Sequence, residues 1–303
     1  MSSAGAVGEG KWSNAAVVSP FRRDLLRGKA ALVTGGATGI GFAITRALAL
    51  HGARVAIVGR RADKLEEAVN QLKADGVPAD GVIGLQGDVR SYESLVKVVQ
   101  ATTARFGQLD ILVNNAAGNF LCPAKDLTPN GFKTVIDIDL VGTFNASRAA
   151  YEALKATKAG VIINISATLH YGATPWQLHA SSAKAAIDAL TRNLGLEWGP
   201  DGIRTVGIAP GPIQGTEGLS RLSGMSGDEV GQRIPVRRAG YPEDIAFMAV
   251  YLASGAGSFV NGTTVVVDGG ATLWRPEMVS EEQLKAITAS LRGQSSSKKK
   301  AAL

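Results

Sequence analysis

From Lys29 onward this chain alternates short, wholly apolar runs with longer segments of helical spacing. That rhythm restricts its fold more than any other feature. Apolar runs at 30–34, 55–58, 82–85, 111–113, 161–165, 206–208 and 264–267 read as strands. Between them, 39–51, 62–74, 91–106, 132–155, 182–198 and 242–253 read as helices, with Lys64, Glu66, Glu67 and Lys73 on the wet side of the second. Strands that are apolar throughout are buried on both faces, as in a parallel sheet covered by helices on each side. The βαβαβ order predicts an α/β fold, a doubly wound, Rossmann-like parallel sheet with right-handed crossovers.

The 303 residues, 45% of them hydrophobic, can bury a full core, and nothing in the middle reads as a linker, so a single domain is expected over 20–275. Residues 1–19 read as a flexible arm rather than a secretory signal, and 276–303 as a short helix over 280–292 followed by a disordered tail at 295–300. The single cysteine, Cys122, allows no internal disulfide and suits a reducing compartment. No apolar run approaches the roughly 20 residues that span a bilayer. The net charge of +6 resides partly in Lys298-Lys299-Lys300 and partly in arginines including Arg60, Arg61, Arg90, Arg221, Arg237 and Arg238. Aromatic residues do not alternate with these charges as on a single-strand stacking platform, so a phosphorylated ligand is expected rather than nucleic acid.

The segment Thr34-Gly35-Gly36-Ala37-Thr38-Gly39-Ile40-Gly41 follows an expected strand and opens an expected helix. Each glycine removes a β-carbon that would hold a pyrophosphate away from the backbone, and the helix N-terminus attracts the anion. Together with Asn114-Asn115-Ala116-Ala117-Gly118, Lys184 near the start of a long helix, Pro210-Gly211-Pro212 and Asp268-Gly269-Gly270, this resembles the short-chain dehydrogenase/reductase family over residues 20–275. The resemblance implies that Gly35, Gly36, Thr38, Gly39, Ile40 and Gly41 cradle a nicotinamide dinucleotide. It implies further cofactor contacts from Val89, Asn115, Pro210, Gly211, Pro212, Ile213, Gly215 and Thr216. Asp88 is expected at the adenine amino group and Lys184 at the nicotinamide ribose. The second strand ends in Gly59-Arg60-Arg61 with no acid for a ribose hydroxyl. A guanidinium fork matches a 2′-phosphate, so NADPH is expected, with Arg60 the first choice of contact. No metal is expected.

Members of this family use a serine and a tyrosine to protonate a carbonyl oxygen. Here those positions are Ala167 and Ala180; Ser166 and Ser181 stand one step away, and the family's asparagine becomes Asp139. That combination resembles the family's peroxisomal 2,4-dienoyl-CoA reductase branch, as do 118–123, 137–144, 182–186, 197–200 and 209–219. The resemblance implies NADPH-dependent reduction of 2,4-dienoyl-CoA to 3-enoyl-CoA in β-oxidation of unsaturated fatty acids. Hydride added at the δ-carbon sends charge to the thioester oxygen, and the proton ends on the α-carbon. No phenol is needed; Asp139 and Lys184 are expected to hold a water that supplies the proton. Donors to the thioester oxygen are needed too, and the sequence does not identify them.

His170, Tyr171 and His179 are rival acids, each read as wall or packing, and Trp176 as pocket lining. Arg90 and Arg221 are expected at the CoA phosphates and Phe120 at the acyl chain or pantetheine, under a mobile lid at 219–231. The terminal Ala301-Ala302-Leu303 resembles the S-K-L import signal without its basic residue, which favours the peroxisome, through an import receptor, over the cytosol. A homo-oligomer, tetramer or dimer, is expected through the helices at 132–155 and 182–198. The rival functions are a ketoreductase using Tyr171 or Ser181, and an inactive NADP-binding protein.

Overall fold

Seven parallel strands form one sheet in the order β3-β2-β1-β4-β5-β6-β7: β1 Ala30–Thr34, β2 Arg54–Gly59, β3 Val82–Gln86, β4 Ile111–Asn114, β5 Gly160–Ile165, β6 Ile203–Pro210 and β7 Thr264–Val267. The computed structural model describes residues 19–216, 226–275 and 278–300. The arm at 1–18 and the terminal tripeptide lie outside them. The chain divides into Met1–Thr272, which holds the sheet, and Leu273–Leu303.

Strands β1, β4 and β5 are buried along their whole length. Edge strands β3 and β7 are only partly covered, so their apolar character is not matched by burial on both faces. Helices α1 (Gly39–Leu50), α2 (Ala62–Ala74) and α8 (Pro242–Ala253) cover one side through Ile44, Leu48, Leu72, Ile245 and Val250. On the other, α3 (Tyr92–Phe106) and α5 (Gly142–Ala156) bury Leu95, Val99, Ala150 and Leu154 against Leu32, Leu112 and Ile162. Helix α3 starts on Ser91, whose side chain accepts from the Ser94 N–H, and stops at Gly107 with φ 81°. At the sheet's lower edge Asp110 is 2% exposed. It accepts from the Ala30 N–H at 2.8 Å, Lys29 Nζ at 2.9 Å and Gln108 Nε2 at 2.6 Å, so the buried charge is fully met.

The helix expected over 132–155 is three pieces. Thr128 caps α4 (Pro129–Ile136), whose proline occupies a first-turn position where no N–H is needed. A π-helical turn, Asp137–Val141, follows, then α5. Such turns concentrate at functional sites, and Asp139 lies in the middle of this one. The helix expected over 182–198 begins one turn earlier, as α6, Leu178–Trp198. Of the lid expected at 219–231, the described part, 226–231, is the short helix α7 (Gly227–Gly231) behind a capping box of Ser226 and Glu229. In the second unit α9 runs Glu281–Lys300. It extends beyond the helix expected over 280–292.

Candidate active site

Crossovers leave β1 and β4 in opposite directions, so their carboxyl ends open a crevice at the switch point of the sheet. A cleft of about 570 Å³ lies there. Its floor is tied across the two strands. Thr34 Oγ1 accepts from the N–H groups of Asn115 at 2.9 Å and Ala116 at 3.0 Å, while Asn115 Nδ2 donates to the carbonyls of Thr34 and Gly35. Gly35 turns with φ +63°, and a β-carbon on Gly41 would stand 2.3 Å from both Gly35 O and Asn115 Nδ2. Thr38 begins α1 without a side-chain cap bond, which leaves the first-turn N–H groups facing the cleft for an anion. The glycine turn therefore fits a dinucleotide pyrophosphate.

Most expected cofactor residues line this cleft: Gly35, Thr38, Gly39, Ile40 and Gly41 from the turn, Arg60 and Arg61 after β2, and Asp88, Val89, Asn115, Gly215 and Thr216 around them. Lys64 adds a third cation beside the arginine pair, and Asp88 is the one carboxylate in the lining. Arg90 folds onto Asp88, its Nε 3.0 Å from each carboxylate oxygen, and this hydrogen-bonded guanidinium holds the Asp88 carboxyl below the usual aspartate range. Two further glycines of the expected set sit against the fold itself. A β-carbon on Gly36 would meet Thr45 Oγ1 at 2.7 Å, and one on Gly211 would meet Asp268 Cβ at 2.6 Å. Both glycines permit close packing of the fold. Pro212 and Ile213 line a separate cavity of about 220 Å³ with Arg238 and Asp244, and Pro210 ends β6 in the core. Arg221 lies outside the described residues.

Deeper in the crevice Lys184 and Asp139 form an ion pair, Nζ to Oδ2 3.1 Å, at 8% and 1% exposure. Lys184 Nζ also donates to Ile165 O at 3.1 Å, and Asp139 Oδ1 accepts from the Gly118 N–H at 2.7 Å. A buried pair persists when its geometry is fixed and the remaining valences are met, and here a polar ladder does the fixing. Asn164 Nδ2 donates to Thr191 of α6, and its Oδ1 accepts from Asn114 Nδ2 at 2.9 Å. Asn114 Nδ2 also reaches Ser147 Oγ; Ser147 donates to Thr143 O, and Thr143 to Asp139 O at 2.6 Å. Sequence reading missed Thr143, Ser147, Asn164 and Thr191. The available signal was polar residues four apart, Asp139-Thr143-Ser147, all buried, running from the π turn into α5.

Ala180 is 2% exposed, so the wall at the vacated tyrosine position is a closed methyl surface. The buried Ser166 hydroxyl turns back to Lys184 O, at 3.4 Å. Tyr171 donates to Asp188 Oδ2 at 3.3 Å, in a cluster where Asp188 also meets His170 Nε2 at 2.8 Å and Thr264 Oγ1 at 3.0 Å. Burial and the Asp188 charge push the Tyr171 phenol up to about 12, the wrong direction for a proton donor. His179 is wholly buried, with Phe120 stacked on it at 4.3 Å between ring centroids. Trp176 is exposed and holds a positive φ of 64° in the loop before α6.

A doubly wound sheet, a glycine-turn nucleotide cleft at its switch point and a buried lysine on the helix after β5 define a nicotinamide-dependent oxidoreductase. The family model described as enoyl-(acyl carrier protein) reductase matches residues 35–272, and the chain belongs to the short-chain dehydrogenase/reductase family. Among its relatives, a peroxisomal 2,4-dienoyl-CoA reductase of Arabidopsis thaliana, named as producing (3E)-enoyl-CoA, is 50% identical, covering 92% of this chain and 96% of that protein. A Saccharomyces cerevisiae protein with the same descriptive name is 43% identical, covering 94% and 96%. The crystal structure of a short chain dehydrogenase from Bacillus anthracis matches with 40% identity and a TM-score of 0.77, over 84% of this chain and all of that one.

Proposed function

We propose that this protein reduces 2,4-dienoyl-CoA to 3-enoyl-CoA with NADPH, in the peroxisomal oxidation of unsaturated fatty acids. The observation that carries the reading is the buried pair of Asp139 and Lys184 beside alanines at 167 and 180. Such a site lacks the phenol that protonates a ketone oxygen, and a dienoyl thioester does not require one. NADPH, when bound, supplies hydride to the δ-carbon. The double bonds shift, the thioester oxygen takes the charge as an extended enolate, and a proton delivered to the α-carbon leaves the remaining double bond between the β- and γ-carbons. Asp139 and Lys184 hold and polarise the water that delivers this proton, and bulk solvent replaces it. Lys184 also holds the nicotinamide ribose.

Arg60, with Arg61 and Lys64 beside it, supports a 2′-phosphate at the adenosine end. The presence of Arg90 in the lining of the same cleft supports its assignment to a CoA phosphate, and the 39% exposure of Phe120 supports its assignment to the acyl or pantetheine chain. Phe144 of α5 and Leu196 of α6 stand 46% and 78% exposed, which supports a homo-oligomer built on these helices. The relatives' peroxisomal names support that compartment.

The test is NADPH oxidation with 2,4-dienoyl-CoA beside a 3-ketoacyl-CoA control. Rapid turnover of the dienoyl thioester and little of the ketone is expected, and the reverse order would end the reading. In the same assay the wild type is expected to favour NADPH over NADH. Arg60→Ser, which loses a charge-assisted contact of about 1.5–3 kcal/mol, is expected to raise the KM for NADPH at least tenfold while leaving that for NADH within twofold.

A further inference from the structure

Reducing a dienoyl thioester places negative charge on the thioester oxygen, yet neither Asp139 nor Lys184 is aimed by the mechanism at that atom. A donor must come from elsewhere in the site, because an oxyanion left without one in a water-poor cleft forfeits most of the available stabilisation. Three buried polar atoms beside the ion pair have no hydrogen-bond partner: Nδ1 and Nε2 of His179, and Oδ1 of Asn119. They sit in one cluster. Asn119 follows Gly118, whose N–H holds Asp139 Oδ1, and Asn119 Nδ2 donates to Gln177 Oε1 at 2.7 Å, two residues before His179. Phe120 lies on the imidazole face at 4.3 Å with 27° between the planes.

Burial lowers the His179 pKa. The Phe120 backbone, near but outside hydrogen-bonding geometry, and the Asp139 charge hold back part of that shift. The imidazole is therefore neutral at physiological pH and offers one N–H. A buried N–H with no acceptor is costly, and natural structures tolerate it where function uses it. Phe120 is the half-exposed member of the stack, so it is the side chain free to move aside for an acyl chain.

Resting on the function proposed above, we infer that His179 is the hydrogen-bond donor to the thioester oxygen, reached when the incoming dienoyl chain displaces Phe120 from the imidazole. The ring that stands next to the vacated tyrosine position thus stabilises the enolate, while the pair of Asp139 and Lys184 attends to the α-carbon. This divides between two groups what a single phenol does in a ketone reductase.

The test compares wild type, His179→Phe, which keeps a ring and loses the donor, and His179→Gln, which keeps a donor and loses the ring. Removal of one such donor costs about 10²–10³ in kcat elsewhere. His179→Phe is expected to lose at least 100-fold in kcat on 2,4-dienoyl-CoA with NADP binding unchanged, and His179→Gln to stay within tenfold of wild type. With NADP+ and 13C-carbonyl dienoyl-CoA, wild type is expected to lower the thioester C=O stretch and red-shift the dienoyl absorbance. His179→Phe is expected to show neither. A His179→Phe enzyme within threefold of wild type, or one faster than His179→Gln, overturns the inference. So does an unshifted carbonyl in wild type, a reading that stands even if the Phe variant fails to fold. Wild type that binds NADPH but does not reduce dienoyl-CoA overturns the proposed function itself.

Discussion

Asp139→Asn is expected to lower turnover of 2,4-dienoyl-CoA by about 10²–10⁴-fold, the range for losing a group that manages the proton. The substitution is nearly isosteric, and an asparagine oxygen can still accept from the Gly118 N–H that now meets Asp139 Oδ1 at 2.7 Å. The loss is of charge. Lys184, its side chain 10% exposed, would keep its ammonium with Ile165 O but without the carboxylate 3.1 Å away. Breaking one half of a buried pair costs about 3–5 kcal/mol, so urea unfolding is expected to show a drop at the lower end of that range. NADPH affinity, assigned in the proposal chiefly to the glycine turn and the arginine pair, is expected to hold within threefold. A variant with nearly full turnover would remove Asp139 from the proton path.

Gly41→Ala is expected to abolish measurable NADPH binding, with a loss of at least 100-fold in affinity, and to destabilise the fold by about 3 kcal/mol. The new β-carbon would lie 2.3 Å from Gly35 O and from Asn115 Nδ2. Neither can retreat cheaply: the first is backbone at a positive-φ turn, and the second is held by two carbonyls. Relief would have to come from opening the glycine turn, which is proposed to bind the pyrophosphate. Gly255→Ala is the matched control, since no atom lies within 4 Å of its added carbon. It is expected to change neither quantity, as read by calorimetric titration and thermal melts.

The sheet was legible because its central strands are apolar on both faces and its helices carry their own period, as 30–34 and 39–51 do. The nucleotide cleft was legible because a glycine cluster between a strand and a helix has few other uses, and the exchange of tyrosine for Ala180 because Lys184 fixes the position to inspect. Other features depend on three-dimensional neighbours. The π turn at Asp137–Val141 leaves hydrophobic spacing through 132–155 almost unchanged, so periodicity reads one helix where there are three pieces. Gly36 and Gly211 sit inside cofactor motifs, yet their missing β-carbons make room for Thr45 and Asp268. His179 read as wall because a helical wheel turns it away from Lys184; that its nitrogens are buried without partners emerges only once Phe120 and Asn119 fold over it.

The most direct measurement is the position of isotope in the product when NADPH deuterated at the nicotinamide C4 reduces 2,4-dienoyl-CoA in ordinary water, and again when undeuterated NADPH does so in D₂O. The first is expected to label the δ-carbon and the second the α-carbon of a 3-enoyl-CoA. Solvent label on the γ-carbon of a 2-enoyl-CoA would contradict delivery of the proton beside the thioester by a water that the Asp139–Lys184 pair holds.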